Sequence, residues 1–432
     1  MKAPQVLSGF RDILPQEMAL RLKVMAVIRD IFEKHGFEPL ETPSLEYYTT
    51  LTGKEGGESE MLMYHFQDHG QRHVGLIYDL TVPLARFMAC HPEIPRPFKR
   101  YQMQRVWRAE RAQRGRYREF TQCDFDIVGS ESMLADAQVM TVLDQAVEKV
   151  GFRDFVIAVN HRQVLQGILE ASGVPGDRAK EAIIAIDKLD KVGEEGVAQE
   201  LERRGIPGAK KLLEAIMITG DADDILSRLA SNIGHVDSGR RGLAEMKELL
   251  DLAGALSPKV RFKPNLARGQ GYYTGPVYEV QIETPRLGSI AGGGRYDGLI
   301  GIFAGNQIPA TGASFGIDRM VAALAEMGQG AGKPGAQILI CHFGSGAAKA
   351  ALKLAAELRG RDLKCDLYPQ EAPLSRQLKY ADKKGFPYTV IIGEDEVASG
   401  RYLVKDLKVN DQVSVERDVL GTYLQNALAR TR

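Results

Sequence analysis

Cysteine is scarce in this chain. Cys90, Cys123, Cys341 and Cys365 are its four, and no two are spaced as a Cys-x-x-Cys pair. That excludes a disulfide-built scaffold and fits reduced, structural thiols. Net charge is lacking too: 56 Lys and Arg balance 56 Asp and Glu. No overall field therefore draws the chain to nucleic acid, and any such binding must rest on local patches. No apolar run reaches the roughly 18 residues of a membrane span, and Met1-Lys-Ala-Pro-Gln5 leads into no apolar signal core. Short internal repeats, metal-ligand spacings and the usual nucleophile motifs are missing as well. The expectation is a soluble, cytoplasmic protein without a protein-built metal centre.

What is present is size and one unusual stretch. At 432 residues and 44% hydrophobic content, two or three domains with sizeable cores are expected. In Arg108-Ala-Glu-Arg-Ala-Gln-Arg-Gly-Arg-Tyr-Arg-Glu-Phe-Thr-Gln122, five of fifteen residues are arginine. Arginine offers a rigid, permanently charged fork that grips phosphate or carboxylate at two points. Two readings stand open for the stretch alone. It is a solvated basic loop, or it is a polyphosphate site in which Phe120 gives a base a flat face.

Along the chain, Met18 to His35 has helical spacing and Gly36 stops it. Phe37-Glu-Pro-Leu-Glu-Thr-Pro43 is extended, because its prolines exclude a helix. Residues 53–60 read as a loop. Val74 to Thr81 reads as a short strand ending on Asp79 and Thr81. Those two offer a carboxylate and a hydroxyl at a cleft edge, or they cap the helix that follows. Phe98 to Trp107 is strand-like. Polar and apolar residues alternate from Gln122 to Gly129, placing Gln122, Asp124 and Asp126 on one face. An inward polar row is costly unless satisfied or used. Ser132 to Val150 is helical, and Phe155 to Asn160 is a strand.

From about 162 to 255 the pattern is almost entirely helical, as for an insertion between strand-rich parts. Strands resume through Arg268-Gly-Gln-Gly-Tyr-Tyr-Thr-Gly275, Val277 to Ile282, Ala291-Gly-Gly-Gly-Arg-Tyr-Asp-Gly298 and Ala313 to Arg319. Glycine in such places lets backbone approach a ligand closely. Residues 328–335 form a linker by composition. Beyond it strands and helices alternate, indicating a parallel-rich α/β domain, followed by a hairpin over Arg401 to Val415 and a closing helix over Val419 to Ala429. From Lys333 onward, 16 Lys and Arg stand against 12 Asp and Glu, a mild excess consistent with RNA binding.

Together these stretches resemble the class II aminoacyl-tRNA synthetases, and within them the histidyl branch, over essentially the whole chain. Phe37 to Pro43 is similar to the first class motif, at the dimer interface in the family. Trp107 to Gln122 and Gly312 to Arg319 are similar to the second and third, which bind ATP. The Arg268 and Ala291 stretches, with Tyr78-Asp-Leu-Thr-Val-Pro83 and Gly9-Phe-Arg-Asp-Ile-Leu-Pro15, carry the histidyl resemblance. It implies an α+β catalytic domain with an antiparallel sheet over 1–330, bearing the helical insertion. An α/β anticodon-binding domain over 331–432 follows.

The resemblance also implies site residues. Arg108, Glu110, Arg116, Phe120 and Arg319 would bind ATP, with Glu110 reading the adenine amino group and Phe120 under the base. Asp79, Leu80, Thr81, Arg108, Gln122, Asp126, Arg268, Tyr272 and Tyr273 would bind histidine. Asp79, Thr81 and Gln122 would take its ammonium, and Asp126 and Tyr273 its imidazole. Arg268 and Arg108 would be catalytic, and Arg111 to Arg114 an exposed loop meeting the tRNA end near Gln113. ATP with Mg2+, L-histidine and histidine tRNA are the implied substrates, and a homodimer without membrane association the implied state. The alternative within the same fold is a non-catalytic, histidine-sensing regulatory paralogue of ATP phosphoribosyltransferase.

Overall fold

The computed structural model describes residues 4–53, 63–111, 117–268, 271–285, 288–330 and 335–430. The chain divides into two compact units, Met1–Gly330 and Ala331–Arg432.

In the first unit, Pro15 opens helix α1 (Pro15–Lys34), where its missing N–H costs nothing. Leu20, Val24, Ile28, Ile31 and Phe32 form its buried stripe. Strand β1 (Glu38–Pro39) follows, so only two residues of the extended Phe37–Pro43 segment enter the sheet. Strands β2 (Leu45–Tyr47), β3 (His65–Gln67) and β4 (His73–Leu76), with α2 (Tyr48–Thr52), make a small antiparallel sheet in the order β2-β4-β3. The strand expected over Val74–Thr81 thus stops at Leu76. Asp79 lies in the turn beyond, and Thr81 opens α3 (Thr81–Cys90). Asp79 Oδ1 accepts the Val82 N–H at 3.1 Å, which starts the helix. The 53–60 loop reading falls almost wholly outside the described residues, as does the centre of the 328–335 linker.

The main sheet comprises β1, β5 (Phe98–Trp107), β6 (Glu119–Val128), β7 (Phe155–His161), β8 (Val260–Phe262), β9 (Pro276–Ile282), β10 (Ser289–Arg295) and β11 (Ala310–Gly316). Among the described residues its order is β1-β5-β6-β11-β10-β9-β7-β8. The two outermost pairings are parallel and the five between them antiparallel. Helices α1, α4 (Met133–Val150) and α12 (Ile317–Glu326) pack over one face. There Phe32 of α1 meets Phe125 at 4.9 Å between ring centroids, and Phe125 meets Phe315 at 5.6 Å. Side chains alternate across a strand. Phe125 and Phe315 therefore send Asp124, Asp126 and Ser314 to the opposite face. One short helix, α11 (Gly301–Ala304), precedes β11.

Between β7 and β8 the helical insertion is present as expected. It contains α5 (Arg162–Ala171), α6 (Ala179–Ile186), α7 (Leu189–Arg203), α8 (Ala209–Ile216), α9 (Ala222–Ile233) and α10 (Asp237–Gly254). Helices α5 and α10 cross so closely that a Cβ on Gly167 would lie 2.6 Å from the Gly239 Cα. Buried His161, ending β7, accepts the Gln163 N–H with Nδ1 and meets Glu245 of α10 through Nε2 at 2.8 Å.

The second unit holds β12 (Ile338–His342), α13 (Ala347–Arg359), β13 (Cys365–Leu367), α14 (Leu374–Lys384), β14 (Tyr388–Ile392), α15 (Glu394–Ser399), β15 (Arg401–Asp406), β16 (Asp411–Glu416) and α16 (Arg417–Ala429). The sheet order is β13-β12-β14-β15-β16. The alternating half is parallel, but β15 and β16 add as an antiparallel hairpin. Both the parallel alternating part and the hairpin expected over Arg401 to Val415 are present. Among the described residues no helix is long and apolar enough to cross a membrane.

Candidate active site

A cleft of about 310 Å³ opens over the polar face of β6, β11 and β10. Its floor is set by register. Across β5, β6, β11 and β10 one row runs Arg100, Asp126, Gly312, Gly294, and the next runs Gln102, Asp124, Ser314, Gly292. Glycine leaves the floor open where large side chains must lie on it. A Cβ on Gly312 would come within 2.0 Å of Asp126 Oδ1, and one on Gly292 within 1.9 Å of Arg268 Nη1. Arg268 is held there by the Tyr278 carbonyl at 3.2 Å and by Glu279 at 3.6 Å. Farther along β10, Tyr273 lies over Gly294, in the same row as Asp126.

Three carboxylates lie close together in the cleft. Asp79, Asp124 and Asp126 are all buried. Burial pushes each of their pKa values up, Asp124 to about 7. The fully buried Arg100 offsets this, with Nη2 2.7 Å from Asp126 Oδ2, and Tyr296 donates to Asp126 Oδ1. Gln122 Nε2 donates to both oxygens of Asp124, at 3.3 and 3.1 Å. Its buried Oε1 has no hydrogen-bond partner among the described residues. Burial also raises the pKa of Tyr272 and Tyr273, whose hydroxyls bond each other and whose rings lie 4.8 Å apart. Both phenols stay neutral.

Cations line the same cleft. Arg108 leaves the end of β5, gives its Nε–H to the Tyr78 carbonyl at 3.0 Å and lies 5.0 Å from the Phe120 ring centroid. Arg319, in the first turn of α12, donates to the Ser289 carbonyl at 2.7 Å. Its neighbour Asp318 faces Arg21 at 2.6 Å and Arg11 at 2.9 Å.

The cleft thus brings together Asp79, Thr81, Arg108, Glu110, Phe120, Gln122, Asp126, Arg268, Tyr272, Tyr273 and Arg319. Two expected residues are not placed in it. The Leu80 side chain is fully buried with Leu51, Ile77 and Val106, because the turn that aims Asp79 and Thr81 at the cleft sends it to the core. Arg116 lies outside the described residues, as do Gln113 and Arg114. Arg111 is exposed and in no helix or strand, as expected, and also lines the cleft. For Asp79, capping and cleft-lining turn out to be compatible, since one oxygen caps α3 while the side chain faces the cavity.

Sequence reasoning placed Asp124 on the inward polar face without giving it a role, and left out Arg100, Tyr296, Ser314 and Glu279. A period-two signal existed for the first: Arg100, Gln102 and Gln104 alternate with apolar positions on β5, as Gln122, Asp124 and Asp126 do on β6. The Arg-Tyr pair of the Ala291 stretch divides between two tasks. Tyr296 bonds Asp126, whereas Arg295 points to the helix face and pairs with Asp136 of α4. Among the described residues no group of three or more His, Cys, Asp or Glu could hold a metal ion.

An antiparallel sheet whose cleft holds buried carboxylates and several arginines, followed by a separate α/β unit, is the architecture of a class II aminoacyl-tRNA synthetase. The family model described as histidyl-tRNA synthetase matches residues 9–320, and that described as anticodon binding domain matches residues 337–427. Histidine–tRNA ligase of Wolinella succinogenes is 40% identical, covering 96% of each chain. That of Rhodopirellula baltica is also 40% identical, again covering 96% of each. The crystal structure of histidyl-tRNA synthetase from Nostoc sp. PCC 7120 superposes with a TM-score of 0.86 at 32% identity, covering 98% of this chain and 99% of that one. The chain belongs to the histidyl-tRNA synthetase family.

Proposed function

We propose that this protein activates L-histidine with ATP to histidyl-adenylate and transfers the histidyl group to the 3′ end of histidine tRNA. The observation that carries the reading is that one cleft holds buried carboxylates (Asp79, Asp124, Asp126), arginines (Arg108, Arg268, Arg319) and the tyrosine pair together. The carboxylates and tyrosines would take an ammonium and an imidazole, and the arginines phosphates.

In the first step the histidine carboxylate attacks the α-phosphorus and pyrophosphate leaves. Charge crowding dominates the barrier, so positioned cations do most of the work. Arg268 and Arg108 are the catalytic cations, bridging carboxylate and α-phosphate, while Arg116 and Arg319 hold the outer phosphates. Mg2+ enters with ATP as part of that substrate. Phe120 stacks under the adenine and Glu110 accepts its amino group. Asp79, Thr81 and Gln122 receive the ammonium; Asp126 and Tyr273 bond the two imidazole nitrogens. Such a pocket rejects apolar isosteres, whose binding would leave its own polar groups unpaired.

The second unit contacts the anticodon, and the protein works in the cytoplasm as a homodimer joined through the region of β1. The regulatory-paralogue reading gains nothing here, because such a protein has no need of the cation set or of the second unit. Histidine-dependent ATP–pyrophosphate exchange, followed by charging of histidine tRNA, tests the function. Folded protein with no exchange would refute it.

A further inference from the structure

Gln122 can meet the cleft with an acceptor or with a donor, depending on how its amide is turned. Only the acceptor suits an ammonium. The neighbour that decides this is Asp124, two residues on along the same face of β6. An ionised carboxylate only accepts hydrogen bonds. Both Asp124 oxygens lie within 3.3 Å of Gln122 Nε2, so the NH2 must face Asp124 and Oε1 must face away. Gln122 lines the cleft, and its Oε1 is buried with no hydrogen-bond partner among the described residues. Left without a ligand, such an atom is a cost. Asp124 is itself pinned: the Ser314 hydroxyl donates to it, and Arg100, Asp126 and Asp79 are the charges around it.

We propose that Asp124 is a positioning residue for substrate recognition. It locks the Gln122 amide with Oε1 toward the cleft, so that this oxygen accepts the substrate α-ammonium, and does not itself touch the substrate. This rests on the histidine-activating reading above. It adds a residue whose work is to discriminate an α-amino acid from an imidazole acid lacking the amino group.

The test compares L-histidine with 3-(imidazol-4-yl)propionate, which keeps the ring and carboxylate but not the ammonium. KM for histidine and Ki for the des-amino acid are measured by pyrophosphate exchange at pH 8 and saturating ATP. In Asp124→Leu the preference for histidine should fall roughly 10- to 100-fold, the worth of a hydrogen bond to a charged group. Ki for the des-amino acid should stay within about threefold, well under the worth of one such bond. In a Gln122→Met background, Asp124→Leu should change the preference no further. Equal weakening of both compounds would overturn the proposal, since that marks a general pocket defect. So would a further loss of preference in the Gln122→Met background, because Asp124 would then act on the substrate directly. If Asp124→Leu folds poorly, near-isosteric Asp124→Asn replaces it; Asn can present either a donor or an acceptor to Gln122, so a smaller loss of the same sign is expected, and an unchanged preference overturns the lock. Wild-type protein inactive with histidine would refute the function itself, an outcome separate from all of these.

Discussion

Arg268 occupies the space that a side chain on Gly292 would need, its Nη1 lying 1.9 Å from the position of a Cβ there. The catalytic cation is therefore seated by an absence. Gly292→Ala should push the guanidinium off the floor of the cleft and lower exchange by about 100-fold, as expected for misplacement of roughly 1 Å. Arg268→Ala should cost at least as much with the fold retained. The double variant should be no worse than Arg268→Ala, because both changes act through one group. Near-normal exchange in Arg268→Ala would show that its assigned role is wrong.

Tyr273 lies over Gly294, which is in the sheet row of Asp126, and this pairing should set side-chain specificity. Tyr273→Phe is expected to raise KM for histidine about 10-fold or more with a smaller effect on kcat, as for a lost hydrogen bond in a buried site. Gly312→Ala should act in the same sense, because its Cβ would fall 2.0 Å from Asp126 Oδ1. Steady-state exchange over a histidine titration checks both. An unchanged KM in Tyr273→Phe would remove the phenol from imidazole recognition.

Much of this site was legible residue by residue. The alternation from Gln122 to Asp126 exposed an inward polar row, and the glycine-rich stretches marked a backbone close to something large. What could not be read was which glycine serves which side chain. Gly312 meets Asp126 only through strand register, which links positions more than a hundred residues apart, and Gly292 meets Arg268 only because the segment between β8 and β9 folds back over β10. The turn at Asp79 was missed for a related reason. Val74 to Leu80 is apolar enough for one long strand, but the helix start that Asp79 caps cuts it at Leu76. The insertion, whose helical period is local, was readable with no knowledge of its partners.

Arg295 and Asp136 hold the back of the cleft. Arg295 gives Nε and Nη2 to Asp136, and its Nη1 donates to the Ser130 carbonyl at 2.8 Å. Asp136 Oδ1 also accepts from Thr311 at 2.8 Å and from Tyr278 at 3.2 Å. Removing one partner strands the other charge in the interior, which costs about 3–5 kcal/mol. Asp136→Ala should destabilise the first unit by that order. Trp107, the sole tryptophan, lies in that unit and reports its urea transition. A loss under about 1 kcal/mol would mean that Arg295 finds other partners or water.

Asp124 also ties recognition to stability through pH. Burial, first, and the nearby Asp126 and Asp79 raise its pKa from 3.8 to about 7, against the pull of Arg100 and Ser314. A carboxyl whose pKa is higher in the folded than in the unfolded state favours folding while both states are protonated, below about pH 4. Between about pH 4 and 7 the folded protein alone keeps the proton, and the advantage drains away as pH rises. Above about pH 7 the charge is present in both states, and its full desolvation cost is borne by the fold. Asp124→Asn carries no such charge. Without ligand it should therefore be the more stable protein at pH 8, by on the order of 4 kcal/mol, and its advantage should shrink to nothing as pH falls toward 4. Urea midpoints followed by Trp107 fluorescence at pH 4, 6 and 8 measure this directly. A difference independent of pH would show that Asp124 does not titrate in that window. The predicted slope, together with the loss of histidine preference in the same variant, would mark a position where stability is given up for recognition.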